Sequence, residues 1–245
     1  MRRLRALLLV PALLALVTGG AAHAASPAGL DRSFGHAGIT TVDVAKQAVP
    51  EGFAVTPEGR AYVLAGADLL AFGPDGKLVP GFGKKGRVAV ARFGEGPPWS
   101  LAVDSEGRPL VAGSVKRSGR HEAFVIRFLP DGHRDPSFGS GGQVDTDLGL
   151  PSLPSGAKPV LDVTSIAVDA QDRPIIGGGS GRQIDACTSG FGGPSTSFVA
   201  RLTVAGELDT TFAGTGLVTI PQRWARAAAS SSSKACRRFS KAAPI

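Results

Sequence analysis

One short motif occurs four times and constrains this chain more than any other feature. It reads LDRSFGHAG from Leu30, LVPGFGKKG from Leu78, RDPSFGSGG from Arg134 and LDTTFAGTG from Leu208. The shared core is Phe, then Gly or Ala, two variable residues, and Gly. The Phe positions are Phe34, Phe82, Phe138 and Phe212, separated by 48, 56 and 74 residues. Asp stands three residues before Phe at Asp31, Asp135 and Asp209, and Val79 replaces it in the second copy. A recurrence at this spacing signals a repeat architecture, in which each unit buries its apolar faces against its neighbours.

Two further blocks recur between these motifs. The first reads FAVTPEGRAYVLAG from Phe53, LAVDSEGRPLVAG from Leu101 and IAVDAQDRPIIGGG from Ile166. Apolar residues enter a polar turn and β-formers resume, which predicts a hairpin. The second reads LLAFGPDGKL from Leu69, FVIRFLPDGHR from Phe124 and FVARLTVAGEL from Phe198. Pro-Asp-Gly is turn chemistry, with Pro fixing φ and Gly allowing a positive φ; Val204-Ala205-Gly206 is a weaker third copy. Strands are also expected after each FGxxG motif, near Ile39–Val44, Arg87–Ala91 and Gln143–Thr146.

Four short strands per unit predict an all-β repeat protein that is β-propeller-like: about three four-stranded blades plus the start of a fourth, an incomplete propeller. The units run over residues 30–77, 78–133 and 134–207, with a partial unit at 208–220, inside a repeat region of 25–220. The recurring Phe is expected to pack between blades. Gly35, Gly38, Gly83, Gly86, Gly139, Gly142 and Gly216 let the chain reverse tightly. Asp31, Asp135 and Asp209 are expected to accept backbone N–H bonds in the turn before Phe. A β-sandwich with Gly-rich turns is the competing architecture. Composition agrees with an all-β chain, since 34 Gly and 18 Pro among 245 residues far exceed the average of about 12% for the two together.

The strings LDxSFGxxGxV, AVxxxGRxxVAG and FxxxRxxPDGxxDxSFG resemble the delta-60 repeat family of bacterial exported proteins. The resemblance covers roughly residues 30–220 and is strongest over Leu101–Gln143. It implies a propeller-like fold and a role in contact or binding, and brings no catalytic residues with it. The chain departs from the pattern in its third unit, with insertions around Leu148–Asp162 and Gly179–Ser197.

Both ends differ from the repeats. Arg2, Arg3 and Arg5, an apolar run from Leu7 to Val17, and Ala22-His23-Ala24 read as a signal peptide over residues 1–24, cleaved after Ala24. The expected location is therefore secreted or extracytoplasmic, with no membrane insertion after cleavage. Residues 221–245 hold six basic residues, no acid and four consecutive serines; they read as a disordered or aberrant basic tail, with a break in reading frame near Pro221 as the expected origin. The formal charge of +7 comes from these ends. The repeat region lacks the basic footprint of phosphate recognition, so nucleic acid is excluded as an expected partner. Cys187 and Cys236 are compatible with a disulfide in an exported chain, but neither pairing nor its absence follows from spacing.

The search for reactive groups is mostly negative. Gly177-Gly178-Gly179-Ser180-Gly181 suggests a phosphate cradle but lacks the following Lys-Ser/Thr, so a surface loop is expected. His36, His121 and His133 are read as turn or loop residues. Asp145 and Asp147, two apart, are the weak metal candidates, on the expectation that they share one strand face. Asp104 and Asp169 fit hairpin turns, and Trp99 is read as a core residue with an exposed, sugar-stacking alternative. No catalytic residue or cofactor is expected. The leading function is a non-catalytic binding or scaffolding module with an unidentified protein or glycan ligand, and with self-association to cover open blade edges. The loops Lys116–His121, Gly149–Lys158 and Arg182–Thr196 are its expected recognition surface. The alternatives are a carbohydrate-active hydrolase or lyase with a channel site, and a non-functional fragment of a longer propeller.

Overall fold

The computed structural model describes residues 29–44, 50–90, 98–117, 120–150, 160–183 and 191–222. The predicted signal peptide, residues 223–245 of the basic tail, Cys187 and Cys236 lie outside the described residues; Pro221 and Gln222, assigned to the tail, belong to a strand that pairs as far as Gln222. Within them the chain is all-β and propeller-like, with twelve strands in three four-stranded antiparallel sheets. The first sheet holds β1 (Pro50–Val55), β2 (Ala61–Ala65), β3 (Asp68–Phe72) and β4 (Arg87–Ala89). The second holds β5 (Pro98–Val103), β6 (Pro109–Arg117), β7 (Arg120–Arg127) and β8 (Gln143–Thr146). The third holds β9 (Val160–Val168), β10 (Pro174–Gln183), β11 (Phe191–Arg201) and β12 (Leu217–Gln222). Strand order follows chain order in each, so every connection within a sheet joins neighbours.

The alternation of side chains along a strand sorts apolar residues between two interfaces. In β7, Phe124 and Ile126 enter the core shared with the first sheet, alongside Tyr62, Leu64, Leu69 and Phe82. Ala123 and Val125 enter the core shared with the third, alongside Phe138, Ile176, Phe198 and Leu202. The second sheet is therefore buried on both faces. Phe82 and Phe138 are fully buried in these two cores.

The sheets are out of phase with the sequence units. The strand after each FGxxG motif pairs backward with the strand before it: β4 with β3, β8 with β7, and β12 with β11. Leu217–Gln222 thus completes the third sheet. The corresponding first segment has no strand over Ile39–Val44, where strand was expected; Ile39 forms only an isolated bridge with His36. No earlier strand of the described residues stands beside it. Residues 29–44 instead form a strap across the first sheet, where Val42 and Val44 pack on Ala61, Leu70 and Phe72.

Gly177–Gly181, expected as a surface loop, lies inside β10 and pairs with both β9 and β11. The glycines permit close packing there, since a Cβ on Gly178 would collide with the Asp162 carbonyl and meet the Phe198 ring at 3.0 Å.

Candidate functional site

Each sheet has two rims. One carries the β1–β2, β5–β6 or β9–β10 hairpin turn together with the long connection to the last strand. All repeated motifs gather on this rim. The other carries the β2–β3, β6–β7 or β10–β11 hairpin and the end of the last strand.

On the motif rim the chain builds a cluster of charges twice. In the second sheet, Asp135 Oδ1 accepts the Ser137 N–H at 3.0 Å and the Ser137 hydroxyl at 2.6 Å. Its Oδ2 accepts Arg127 Nε–H at 2.8 Å. Arg127 Nη2 donates to Ser137 Oγ at 3.0 Å, while Nη1 crosses to the third sheet and donates to the Val204 carbonyl at 2.8 Å. The guanidinium also lies 4.6 Å from the Phe138 ring centroid. Arg108 closes the group, bonded to Asp104 at 2.7 Å and 3.5 Å from Asp135. The third sheet repeats this with Asp169, Arg173, Arg201, Asp209 and Thr211, including Arg201 Nε to Asp209 at 2.8 Å and an Arg201–Phe212 distance of 4.8 Å.

Burial pushes the Asp135 carboxyl up, but the Ser137 hydroxyl and N–H and the Arg127 guanidinium outweigh it and hold the carboxyl below its ordinary range. Asp209 is lowered too, first by the Thr211 hydroxyl. Exposed Asp31 is lowered by the hydroxyl and N–H of Ser33. Carboxylates held ionised and occupied by donors serve as turn braces and are poorly suited to proton transfer.

The FGxxG turns join successive sheets. Gly83 N–H donates to the Asp131 carbonyl at 2.7 Å, and Gly139 N–H to the Ala205 carbonyl at 2.8 Å. The strap repeats the contact on the first sheet, with Gly35 N–H to the Asp75 carbonyl at 2.9 Å and Thr40 Oγ1 to the Gly76 carbonyl at 2.6 Å. Gly139 has φ +53, and a Cβ there would strike the Gln143 carbonyl. Gly38, Gly86, Gly142 and Gly216 close the turns, each N–H bonded to the carbonyl of the motif Phe. Phe34 and Phe212, on the two outermost turns, are half-buried.

The remaining candidates are scattered. Asp145 sits in β8 and takes both bonds of the Gln143 amide, at 2.7 and 2.9 Å. β8 ends at Thr146, so Asp147 lies beyond the strand, where it accepts the Gly149 N–H at 3.0 Å. The two do not form the shared strand face expected of a metal pair. Among the described residues no three His, Cys, Asp or Glu converge to hold a metal. His36 and His133 are exposed, and His133 contacts Asp131 at 3.2 Å. His121 departs from the turn assignment: it lies half-buried in β7 opposite Lys116, and burial followed by the Lys116 charge lowers its pKa. Trp99 lies in β5, and its side chain is outside the described residues. Among the described residues no helix is long and apolar enough to cross a membrane.

Sequence reasoning missed the arginines. Arg127 and Arg201 recur at one position of the second of the two further blocks, and Arg60, Arg108 and Arg173 recur at one position of the first. That recurrence was the available signal.

On the opposite rim little repeats. The β2–β3 hairpin closes over two residues between Ala65 and Asp68. The β6–β7 hairpin extends to Arg117 and Arg120, and the β10–β11 hairpin to Gln183 and Phe191. The strands lengthen accordingly, from 5 residues in β2 to 9 in β6 and 10 in β10.

A search of curated proteins finds none that matches. A solved structure of a protein of unknown function from Bacteroides caccae is similar at 11% identity over 75% of this chain and 90% of that one, with a TM-score of 0.32. Residues 107–138 and 175–212 match the family described as "Domain of unknown function (DUF5122) beta-propeller". Each stretch runs from the hairpin turn or the start of the strand after it to the motif Phe, and so takes in Arg127 and Asp135 or Arg201 and Asp209. This match supports a β-propeller repeat family for the chain.

Proposed function

We propose that this chain is an exported, non-catalytic binding or scaffolding module of delta-60 repeat type. The observation that carries the reading is the contrast between the rims. One holds the repeated turns, whose carboxylates are consumed by Arg, Ser and Thr. The other holds hairpins that differ in length and residues from sheet to sheet, as expected of a recognition surface on a rigid scaffold. The β6–β7 hairpin ends in two cross-strand pairs, Lys116 with His121 and Arg117 with Arg120, and the three basic residues of this sequence suit an acidic protein or an anionic glycan.

The test compares the mature chain with a variant whose Lys116–His121 tip is replaced by the short Gly66-Ala67 type of turn. Both are assayed for binding to cell-envelope protein and polysaccharide fractions. Binding lost with the tip, at unchanged thermal stability, supports the reading. Equal binding by the two, or none by either, refutes the assignment of this rim. Export is read separately by mass: a secreted chain should begin at Ala25, and a full-length cytoplasmic chain would refute it.

A further inference from the structure

The two outer faces of the row of sheets carry the unmatched halves of the contact that joins its sheets. Arg127 spends its three nitrogens on Asp135, Ser137 and, across the interface, the Val204 carbonyl. Arg201 occupies the same position in the third sheet. Its Nε reaches Asp209 and its Nη2 reaches Thr211, and its Nη1 has no hydrogen-bond acceptor among the described residues. The carbonyl corresponding to Val204 in the first sheet belongs to Pro74, and the strap offers it no arginine. Likewise Gly83 and Gly139 donate to the next turn, whereas Ala213, at the same turn position with φ +53, has no further sheet beyond it among the described residues.

Apolar exposure follows the same division. On β1, Phe53 is 65% and Val55 47% exposed, because the strap does not extend over them. On the third sheet, Phe198 and Ala200 face the core, so Val199 and its cross-strand partner Val218 face outward, and Ile220 beside Ser197 is 57% exposed. Both outer faces thus expose apolar side chains; the Pro74 carbonyl on one matches the Arg201 guanidinium on the other, while the strap already fills the Asp75 and Gly76 carbonyls through Gly35 and Thr40.

We infer that the outer face of the third sheet docks on the outer face of the first sheet of a second copy of this chain. Arg201 then donates to Pro74 of the second copy. The Phe212–Gly216 turn replaces the second copy's strap at Asp75 and Gly76, and the inner part of the sheet covers Phe53 and Val55. The contact is head-to-tail, and two copies joined at both ends close a ring of six sheets, within the range of about four to eight for closed propellers. The inference is independent of the ligand-binding reading above and stands or falls by different measurements.

The experiment measures mass in solution for the mature chain and for Phe53→Lys and Ile220→Lys. Both substitutions sit on exposed side chains and should leave the monomer fold intact, as circular dichroism will show. The unaltered chain should have roughly twice the monomer mass, and each variant alone should weaken association by about tenfold or more. A head-to-tail contact has a distinctive signature. Phe53→Lys keeps its third-sheet face and Ile220→Lys keeps its first-sheet face, so an equimolar mixture should recover one junction and form a mixed dimer. Deleting residues 223–245 should leave the association in place. A monomer over about a hundredfold range of concentration, an open-ended polymer, variants that associate as the unaltered chain does, a mixture that stays monomeric, or association that vanishes with residues 223–245 would each overturn the inference.

Discussion

The first and second sheets share a topology and differ in how they hold the motif rim. The second uses Asp104, Arg108, Arg127 and Asp135; the first has Thr56, Arg60, Ala71 and Val79 at those positions. Both members of the buried ion pair are absent together, in keeping with the cost of leaving one alone. Yet the bond to the next sheet persists. Arg127 donates to the Val204 carbonyl at 2.8 Å, and Arg60 donates to the equivalent Pro130 carbonyl at 2.9 Å. The donor has moved from a strand to a hairpin turn. The motif phenylalanine changes partner as well, since Phe138 lies under Arg127 while Phe82 lies 5.6 Å from the Tyr62 ring. What the architecture holds constant is a guanidinium at the neighbour's turn carbonyl, and more than one residue position can supply it.

The comparison is broken most severely at Arg127, which is 2% exposed. Arg127→Ala strands Asp135 and the Val204 carbonyl and should cost about 3–5 kcal/mol in urea unfolding. Transplanting the first sheet's solution tests whether it is self-sufficient. The triple variant Asp104→Thr, Arg127→Ala, Asp135→Val frees Arg108 to act as Arg60 does, and it should be more stable than Arg127→Ala alone. A triple variant less stable than the single would refute the equivalence.

A smaller effect is expected at Gly139. Gly139→Ala places a Cβ against the Gln143 carbonyl at positive φ and should cost about 1–2 kcal/mol. Ala213→Gly, the reverse change in the third sheet, should stabilise by up to about 1 kcal/mol. In the first sheet, Tyr62→Phe removes the bond to the Gly107 carbonyl at 2.9 Å and should cost about 1 kcal/mol.

Acid titration sharpens the contrast without large energies. The Asp135 and Asp209 carboxyls lie below the ordinary value of 3.8 in the folded chain. Below that value the unfolded chain therefore takes up protons first. Their contribution is complete above the ordinary value and is lost as pH falls through the lower folded values. The triple variant lacks Asp135, so its stability should fall less steeply with acid in this window; an unchanged slope would show that Asp135 does not contribute.

Much of this was legible in the residues, and the limits have physical reasons. Turn chemistry is local, so FGxxG, Pro-Asp-Gly and the hairpin blocks announce four-stranded units directly. Asp135 and Asp209 sit two residues before their Ser and Thr partners, within reach of a local reading. Arg127 and Arg201 meet their carboxylates eight residues on, across a chain reversal, and their spacing alone does not show the approach. The sheet boundaries were displaced for a related reason: nothing local in Arg87–Ala89 says that it pairs backward with β3. Gly177–Gly181 lacks side chains to announce a strand, and its pairing comes from β9 and β11. The rim opposite the motifs is the least legible, because its hairpins share no motif to align.

The backward pairing has a consequence for how such chains can change in number. A segment duplicated or deleted from one FGxxG motif to the next carries the last strand of one sheet followed by the first three strands of the next. Joined at the motif, it always restores a full four-stranded sheet at the junction. Recombination at these short, nearly identical strings can therefore lengthen or shorten the row while leaving each sheet whole. The motif that closes one sheet is also the splice point from which another can be added.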